Sequence, residues 1–189
     1  MEFDVAILGG GSAGYAAASS AQSHGARVAI VDPGPLGGLC ILRGCMPTKT
    51  ILRSSDIISL MRRAKEFGLL PVEPVADLAA INARKNQLIE EFTDYRVEQL
   101  KDPRFTLIQE KAEFTSPNEV QVGTSKLKAK SFIIATGSVI ADYPILGLKE
   151  TGFVTSDDAL TMREAPESII VLGAGAVAVE LAQFFQRIG

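Results

Sequence analysis

The sequence has few of the residues that mark secreted, zinc-binding or nucleic-acid-binding proteins. Its 189 residues include two cysteines and one histidine, too few for a disulfide-stapled secreted scaffold or a full set of zinc ligands. The net charge of -3 gives no indication of the strongly basic face that nucleic-acid binding requires. No apolar run approaches membrane-spanning length, and the start, with Glu2 and Asp4, is too acidic for a signal peptide. We therefore expect a soluble, cytoplasmic protein without a membrane or nucleic-acid partner.

The first thirty residues predict a strand, a helix and a second strand. Residues 3–8 form a short apolar run that ends in glycines, and residues 12–24 are rich in alanine at helical spacing until Gly25. Residues 27–31 form a second apolar run with β-branched side chains. Because 47% of the residues are hydrophobic, the chain can bury both strands under flanking helices, as in a parallel sheet.

The middle of the chain predicts two helices and further strands. Residues 40–67 and the apolar positions between 78 and 100 indicate helices that form an excursion from the sheet. Residues 105–108 predict a strand, residues 112–127 a small antiparallel meander, and residues 131–135 a return to a buried strand. The predicted fold class is therefore α/β, a Rossmann-like domain with a parallel sheet, a meander and a helical excursion.

A glycine-rich string joins the first predicted strand to the first helix. GGGSAG at residues 9–14 fits GxGxxG, and Asp32 ends the next strand. Gly9 permits a tight turn, Gly11 lets backbone approach a pyrophosphate, and Gly14 allows close helix-strand contact. Asp32 can accept hydrogen bonds from ribose hydroxyls. The string predicts a dinucleotide site, with a purely structural glycine turn as the alternative.

A second string repeats this arrangement near the end of the chain. GAGAVA at residues 173–178 fits GxGxxA, again after an apolar run, here residues 168–172, and before a helix predicted from about Ala176. Two dinucleotide sites imply two nucleotide cofactors that exchange electrons. The strand and the ribose-reading residue of this second unit would follow Gly189.

The two cysteines lie close together between the glycine strings. Cys40 and Cys45 are five positions apart at a predicted loop-to-helix transition, with Arg43 and Lys49 nearby. A helix N-terminus and neighbouring cations stabilise thiolates, which suits thiol-disulfide exchange. Two buried structural cysteines remain the alternative.

In this order, the motifs resemble the class I pyridine nucleotide-disulfide oxidoreductases, the family of dihydrolipoamide dehydrogenase, mercuric reductase and glutathione reductase. The resemblance rests on GGLCILRGCMPTK at residues 37–49, IATGS at residues 134–138 and a second glycine motif that ends in Glu180. It implies that NAD or NADP in its reduced form reduces FAD, that FAD reduces a Cys40-Cys45 disulfide, and that the dithiol reduces the substrate. Dihydrolipoamide dehydrogenase normally runs in reverse.

The resemblance also implies roles for single residues. Cys45 would face the flavin as the charge-transfer thiol, and Cys40 would be the interchange thiol. Lys49 would lie near flavin N5, with Glu180 as its acidic partner. The implied FAD contacts are Gly9, Gly11, Ser12, Ala13, Gly14, Asp32, Gly38, Ala112, Ala135, Thr136 and Gly137, and the implied second nucleotide site contains Gly173 and Gly175.

The family resemblance further implies a domain organisation and a substrate class. Residues 1–150 would form the FAD-binding domain with the redox-active disulfide, and residues 151–189 a connector and the truncated start of an NAD(P)-binding domain. The family's C-terminal catalytic histidine has no counterpart here, so we expect the fragment to be inactive alone. The full-length form would be a homodimer acting on a small-molecule or lipoyl-type disulfide.

Departures from the family pattern leave the substrate and the redox potential open, and the sequence does not distinguish NADH from NADPH as the electron donor. Leu39 replaces the usual threonine, and Leu42-Arg43 replaces Asn-Val between the cysteines. Thr48-Lys49 resembles the dihydrolipoamide dehydrogenase and mercuric reductase branch more than glutathione reductase. Two rival functions are a flavin-binding module without a complete catalytic site and a flavoenzyme whose cysteines are incidental.

The remaining conspicuous side chains are interpreted as structural. His24, next to Gly25, is expected to cap carbonyls or contact solvent. Tyr15 and the pair Phe184-Phe185 are expected to pack in the core.

Overall fold

The computed structural model describes residues 1–141 and 143–189, and the chain divides into two compact units. Unit 1 consists of Met1–Leu42 and Glu90–Val139, and unit 2 consists of Arg43–Ile89 and Ile140–Gly189. Each unit has a hydrophobic core of its own. None of the helices in the described part of the chain is both long enough and apolar enough to span a membrane.

Unit 1 contains one mixed sheet of six strands. The strands are β1 Glu2–Leu8, β2 Val28–Val31, β3 Phe105–Ile108, β4 Ala112–Ser116, β5 Glu119–Val122 and β6 Ser125–Ile134. Their spatial order is β3-β2-β1-β6-β5-β4, in which β3, β2, β1 and β6 are parallel and β5 and β4 are antiparallel to their neighbours. The predicted α/β class, parallel sheet and meander are therefore confirmed.

Strand β6 joins the meander to the parallel part of the sheet. Its ten residues pair antiparallel with β5 through Ser125 to Lys128 and parallel with β1 from Lys128 to Ile134. The sequence had indicated two separate segments here. One continuous strand forms because β1 and β5 lie on opposite sides of β6 and both use its backbone groups.

The predicted helices are present, with one interruption. The helices are α1 Ser12–Ser23, α2 Gly38–Arg43, α3 Cys45–Arg62, α4 Leu78–Leu100, α5 Ser156–Ala159 and α6 Ala176–Ile188, with 3-10 turns at Ala64–Phe67 and Lys149–Thr151. Gly44 leaves helical geometry, with φ -120° and ψ -119°, and separates α2 from α3 where one helical region had been predicted. A glycine adopts such a backbone without a steric penalty.

The sheet of unit 1 buries a different apolar cluster on each face. One cluster joins Ile7 and Ile30 to Ala18 of α1 and Leu100 at the end of α4. The other cluster lies between the parallel strands and the folded meander, and it contains Ala6, Leu8, Ala29, Val31, Val120, Val122 and Leu127. Burial on both faces explains why β1 and β2 are nearly continuous apolar runs rather than alternating ones.

Unit 2 is a helical assembly built on α3, α6 and the beginning of α4. Ile51 and Ile58 of α3 pack with Leu78 of α4 and with Phe184, which is 1% exposed, in α6. The predicted packing role of Phe184 is confirmed. The two long helices are also joined by an ion pair between Arg187 and Asp56.

One predicted strand is wrong. Residues 168–172 have no strand structure, and Ile170 is 90% exposed. A strand is stabilised by hydrogen bonds to a neighbouring strand, and no described residue pairs with this segment. The helix that follows does not need such a partner, and α6 begins at Ala176 as predicted.

A buried lysine in unit 2 holds the segment that follows α5. Lys85 of α4 is 4% exposed, and its Nζ donates to the carbonyl oxygen of Leu160 and to Oδ1 of Asn82, the latter at 3.1 Å. Asn82 Nδ2 in turn donates to the carbonyl oxygen of Met162 at 2.6 Å. Burial lowers the pKa of Lys85 from its ordinary value of 10.5, because desolvation disfavours the charged form.

The depressed pKa of Lys85 predicts a pH-dependent contribution to stability. Between the lowered folded-state pKa and 10.5 the unfolded chain binds more protons, so stability from this residue should rise with pH. The free energy of unfolding of wild type minus that of Lys85→Met should therefore increase as pH rises from neutral towards 10.5. Urea denaturation across this range measures the difference, with exposed Lys65→Met as the control. A difference that does not change with pH would contradict the prediction.

Candidate functional site

The first glycine string forms backbone contacts that leave no room for side chains. Gly9 follows β1 with φ +109°, and a Cβ on it would lie 2.2 Å from the carbonyl oxygen of Ala135. A Cβ on Gly14 would lie 1.8 Å from the carbonyl oxygen of Gly9. The turn after β1 and the start of α1 therefore require glycine at both positions.

A second loop, which leads from β2 to Gly38, lies against the N-terminus of α1. Gly11 is the N-cap of this helix, and a Cβ on Gly38 would lie 2.4 Å from Gly11 Cα. Ser12 and Ala13, the first two helical residues, are exposed, and no side chain caps the helix. The first backbone N–H groups of a helix have no partner within it and attract anions. Unit 1 thus presents an open helix N-terminus in a cradle made of backbone.

Asp32 braces this cradle through both carboxylate oxygens. Oδ2 accepts a hydrogen bond from the Gly10 N–H at 2.5 Å, and Oδ1 accepts one from the Gly34 N–H at 2.7 Å. Each oxygen has a second lone pair, so the carboxylate can still accept bonds from ribose hydroxyls. The sequence interpretation missed Gly10 and Gly34 as partners, although an aspartate two residues before a glycine is typical of such a side-chain turn.

The other predicted contacts of unit 1 lie around the same end of the parallel strands. Ala135 follows β6, and its N–H donates to the Leu8 carbonyl oxygen at 2.8 Å, with exposed Thr136 and Gly137 next in the chain. Ala112 opens β4 and packs against the buried cluster that contains Val31, the residue before Asp32. Ligands of open α/β sheets bind outside the carboxyl ends of the strands, where these residues lie.

The cysteines occupy different structural settings. Cys40 is half-buried in α2 of unit 1, whereas Cys45 is an exposed free thiol at the first position of α3 in unit 2. Helix α3 has 18 residues, and Cys45 is the first of them. Their pairing as a redox disulfide stays a prediction.

The cation and the carboxylate assigned to each other by resemblance do meet. Lys49 Nζ of α3 forms an ion pair with Glu180 Oε1 of α6, and the two side chains are 58% and 29% exposed. The predicted pairing is confirmed, and it links these helices within unit 2. The predicted position of Lys49 near a flavin stays a prediction.

Arg43, which departs from the family pattern, has a partner that the sequence did not indicate. Its Nη1 lies 3.3 Å from Oδ2 of Asp157 in α5, within unit 2. Both side chains are partly exposed, so the pair contributes little stability. It nevertheless fixes the direction of a cationic side chain two positions before Cys45.

The second glycine string has the same backbone conformation as the first, but its glycines make none of the close contacts that the first string makes with described residues. Gly173 has φ +109°, as Gly9 has, and Gly175 is the N-cap of α6. A Cβ on either glycine would meet no described atom within 4 Å. This turn therefore repeats the backbone conformation of the first string with no neighbouring strand among the residues described, and its binding of a nucleotide stays a prediction.

Other conspicuous polar residues are structural. His24 Nδ1 lies 2.8 Å from the carbonyl oxygen of Ser20, which confirms the predicted role at the end of α1. Lys126 and Lys130 on β6 are exposed and pair with Glu119 and Asp4. Within the described ranges, no three or more His, Cys, Asp or Glu side chains cluster as metal ligands.

Comparisons with known proteins agree with this geometry. The family model described as pyridine nucleotide-disulphide oxidoreductase matches residues 3–189. The chain is 35% identical to mercuric reductase of Staphylococcus aureus over 189 residues, covering all of this chain and 35% of that protein. It is 36% identical to dihydrolipoyl dehydrogenase of Acholeplasma laidlawii over 193 residues, covering 57% of that protein.

A solved structure shares the fold. The Cu(II) complex of the HOCl-induced flavoprotein disulfide reductase RclA from Escherichia coli matches with a TM-score of 0.81 and 27% identity over 98% of this chain and 40% of that chain. The chain spans 35% of the length of the mercuric reductase and 57% of the length of the dihydrolipoyl dehydrogenase named above.

The effect on stability of the close approach of Gly38 to Gly11 can be measured separately from the effect of backbone strain. Gly38 and Gly68 both have φ +75°, but a Cβ on Gly68 would meet no described atom within 4 Å. Alanine at either position incurs the left-handed penalty, and only Gly38→Ala also forces the two loops apart. We expect Gly38→Ala to lower the free energy of unfolding by about 1–3 kcal/mol more than Gly68→Ala in urea denaturation. Equal losses would show that the contact is not tight.

Proposed function

Because this chain belongs to the pyridine nucleotide-disulphide oxidoreductase family, we propose that it supplies the FAD-binding and redox-disulfide part of an enzyme. That enzyme would pass electrons between NAD(P)H and a disulfide or dithiol substrate, with dihydrolipoyl dehydrogenase as the most similar activity. The observation that carries the proposal is the backbone cradle at the N-terminus of α1, where Gly38 closes against Gly11.

The residues of the cradle fit FAD. Backbone N–H groups of Ser12 and Ala13 would hold the pyrophosphate, and Asp32 would accept bonds from the ribose next to it. The backbone of Ala112 would contact the adenine, and the segment from Ala135 through Thr136 to Gly137 would line the same crevice. When bound, FAD supplies two-electron transfer between a nicotinamide and a dithiol.

The two cysteines would carry the electrons to the substrate. Reduction of a Cys40-Cys45 disulfide takes up two electrons and two protons and yields two thiols, and the dithiol returns both when it reduces a substrate disulfide. Cys45 would act from the first position of α3, where its thiol is exposed. Glu180 would hold the Lys49 ammonium in position, so that a cation is available to the reduced flavin.

The organisation of the full-length protein is part of the proposal. We assign residues 1–150 to an FAD-binding domain and residues 151–189 to a connector and the beginning of an NAD(P)-binding domain with Gly173 and Gly175. The support for the second assignment is the shared φ of +109° at Gly9 and Gly173. We further propose a cytoplasmic homodimer that uses a lipoyl-type or other small disulfide.

A thiophilic metal ion is a second candidate substrate. Relatives named mercuric reductase are 34% to 35% identical to this chain, and the matched RclA structure is a Cu(II) complex. The observation that favours this candidate is the exposed Cys45 thiol, because thiolates bind soft metal ions. NAD(P)H oxidation by the full-length protein with oxidised lipoamide or with a mercuric or cupric salt would distinguish the two substrates.

Flavin binding tests the cofactor assignment. The full-length protein should bind one FAD per chain, measured by quenching of flavin fluorescence. Asp32→Asn should weaken this binding by about tenfold to a hundredfold, because an amide replaces a carboxylate that both braces Gly10 and accepts ribose bonds. Asp102→Asn, at a carboxylate whose partner is Arg104, is the control. A full-length protein that cannot be reconstituted with FAD would refute the assignment.

Thiol titration tests the redox pair. Mild oxidation should remove two titratable thiols per chain, and reduction should restore both, because a single disulfide forms between Cys40 and Cys45. In Cys40→Ser and Cys45→Ser the remaining thiol should stay titratable under the same mild conditions. If both wild-type thiols survive oxidation, the redox role fails.

A further inference from the structure

Arg96 of α4 has buried donors without acceptors. Its Nε and Nη1 atoms are inaccessible to solvent, and neither has a hydrogen-bond partner among the described residues. These two nitrogens carry three of the five N–H donors of a guanidinium, which is always charged. Leaving such donors unpaired costs free energy, so native proteins rarely do so without a reason. Arg96 therefore lacks a strong acceptor that a ligand could supply.

The guanidinium lies against the first turn of α1. Its Cζ is 4.4 Å from the ring centroid of Tyr15, and the Tyr15 N–H donates to the Gly11 carbonyl oxygen at 2.9 Å. The Tyr15 ring also packs edge-on against Phe105, with centroids 6.3 Å apart. Tyr15 thus fixes the guanidinium plane beside the helix that begins at the glycine string.

Two residues near Arg96 on α4 contact the two loops of the cradle, one at Gly10 and the other at Gly37. Leu100 Cδ1 lies 3.3 Å from where a Cβ on Gly10 would be, and Thr93 Cγ2 lies 3.6 Å from the same position on Gly37. Residues 93, 96 and 100 share one face of a helix. Arg96 is therefore located between the side chains that contact the two loops of the cradle.

Among the described residues, neither buried nitrogen of Arg96 has an acceptor. The first turn of α1 contains no acidic side chain. Gln99, one turn further along α4, has a buried Oε1 that is itself without a partner among the described residues. Arg104 is different, because its Nε and Nη2 lie 2.9 and 3.0 Å from the carboxylate of Asp102.

We propose that Arg96 binds the diphosphate of the dinucleotide held in the glycine cradle. A guanidinium offers planar, charge-assisted hydrogen bonds that suit phosphate oxygens. It would add one side-chain cation to a site otherwise built from backbone N–H groups, and Tyr15 would be its positioning residue. This inference rests on the proposed FAD function.

The test compares Arg96→Met with Arg104→Met in the full-length protein after removal of its flavin. Arg104→Met is the matched control, because it deletes a neighbouring cation that Asp102 already neutralises. We expect Arg96→Met to raise the Kd for FAD about tenfold or more and to weaken competition by inorganic pyrophosphate similarly. Arg104→Met should stay within about twofold, and Arg96→Lys should be intermediate because it keeps the charge without the planar donors. Flavin fluorescence quenching gives each constant.

Three outcomes would overturn the inference. An Arg96→Met variant that unfolds at a lower temperature yet binds FAD as wild type does would assign Arg96 a packing role only. Equal losses in Arg96→Met and Arg104→Met would indicate general electrostatics. A wild type that binds neither FAD nor pyrophosphate would refute both proposals, whereas pyrophosphate binding that depends on Arg96 without FAD binding would refute only the proposed function.

Discussion

Contact between backbones without intervening side chains is the constraint on which the structure of unit 1 depends. The carbonyl of Gly9 approaches Gly14, Gly9 itself approaches Ala135, and Gly11 approaches Gly38. These contacts fix where α1 begins relative to the ends of β1 and β6. An open helix N-terminus then faces the crevice at the carboxyl ends of the strands, where an anionic ligand gains most from the helix dipole.

Charged side chains within each of the two units differ in how completely their hydrogen-bonding groups are paired. Asp32 uses both oxygens to hold the loops, and Lys49 is paired with Glu180. Buried Lys85 has a carbonyl and an amide oxygen as acceptors. Arg96 alone of these charged side chains has buried nitrogens without acceptors in the described structure. Because burying an unpaired cation costs free energy, the two unpaired Arg96 nitrogens are the strongest indication in unit 1 of a bound anion.

The relatives indicate the class of reaction, but they do not decide which substrate is used. Mercuric reductases and dihydrolipoyl dehydrogenases match at closely similar identities. Leu42 and Arg43 stand between the cysteines where the family usually has Asn-Val, and Arg43 is paired with Asp157. The segment between the thiols therefore carries a cationic side chain whose direction is set by Asp157.

Local sequence alone determined most of the elements: β1, α1, β2, α4, β3 and α6 lie where periodicity, glycines and apolar runs predicted them, because each pattern acts within a few residues. The glycine motif and the pairing of Lys49 with Glu180 were also predictable, the first from its spacing and the second from family resemblance. Tertiary structure decided the rest. It merged two predicted segments into the single strand β6 and left residues 168–172 without strand structure. It also gave both Asp32 oxygens backbone hydrogen-bond donors and left two Arg96 nitrogens without an acceptor among the described residues. Each of these depends on a partner distant in sequence, and no local pattern specifies whether such a partner is in place.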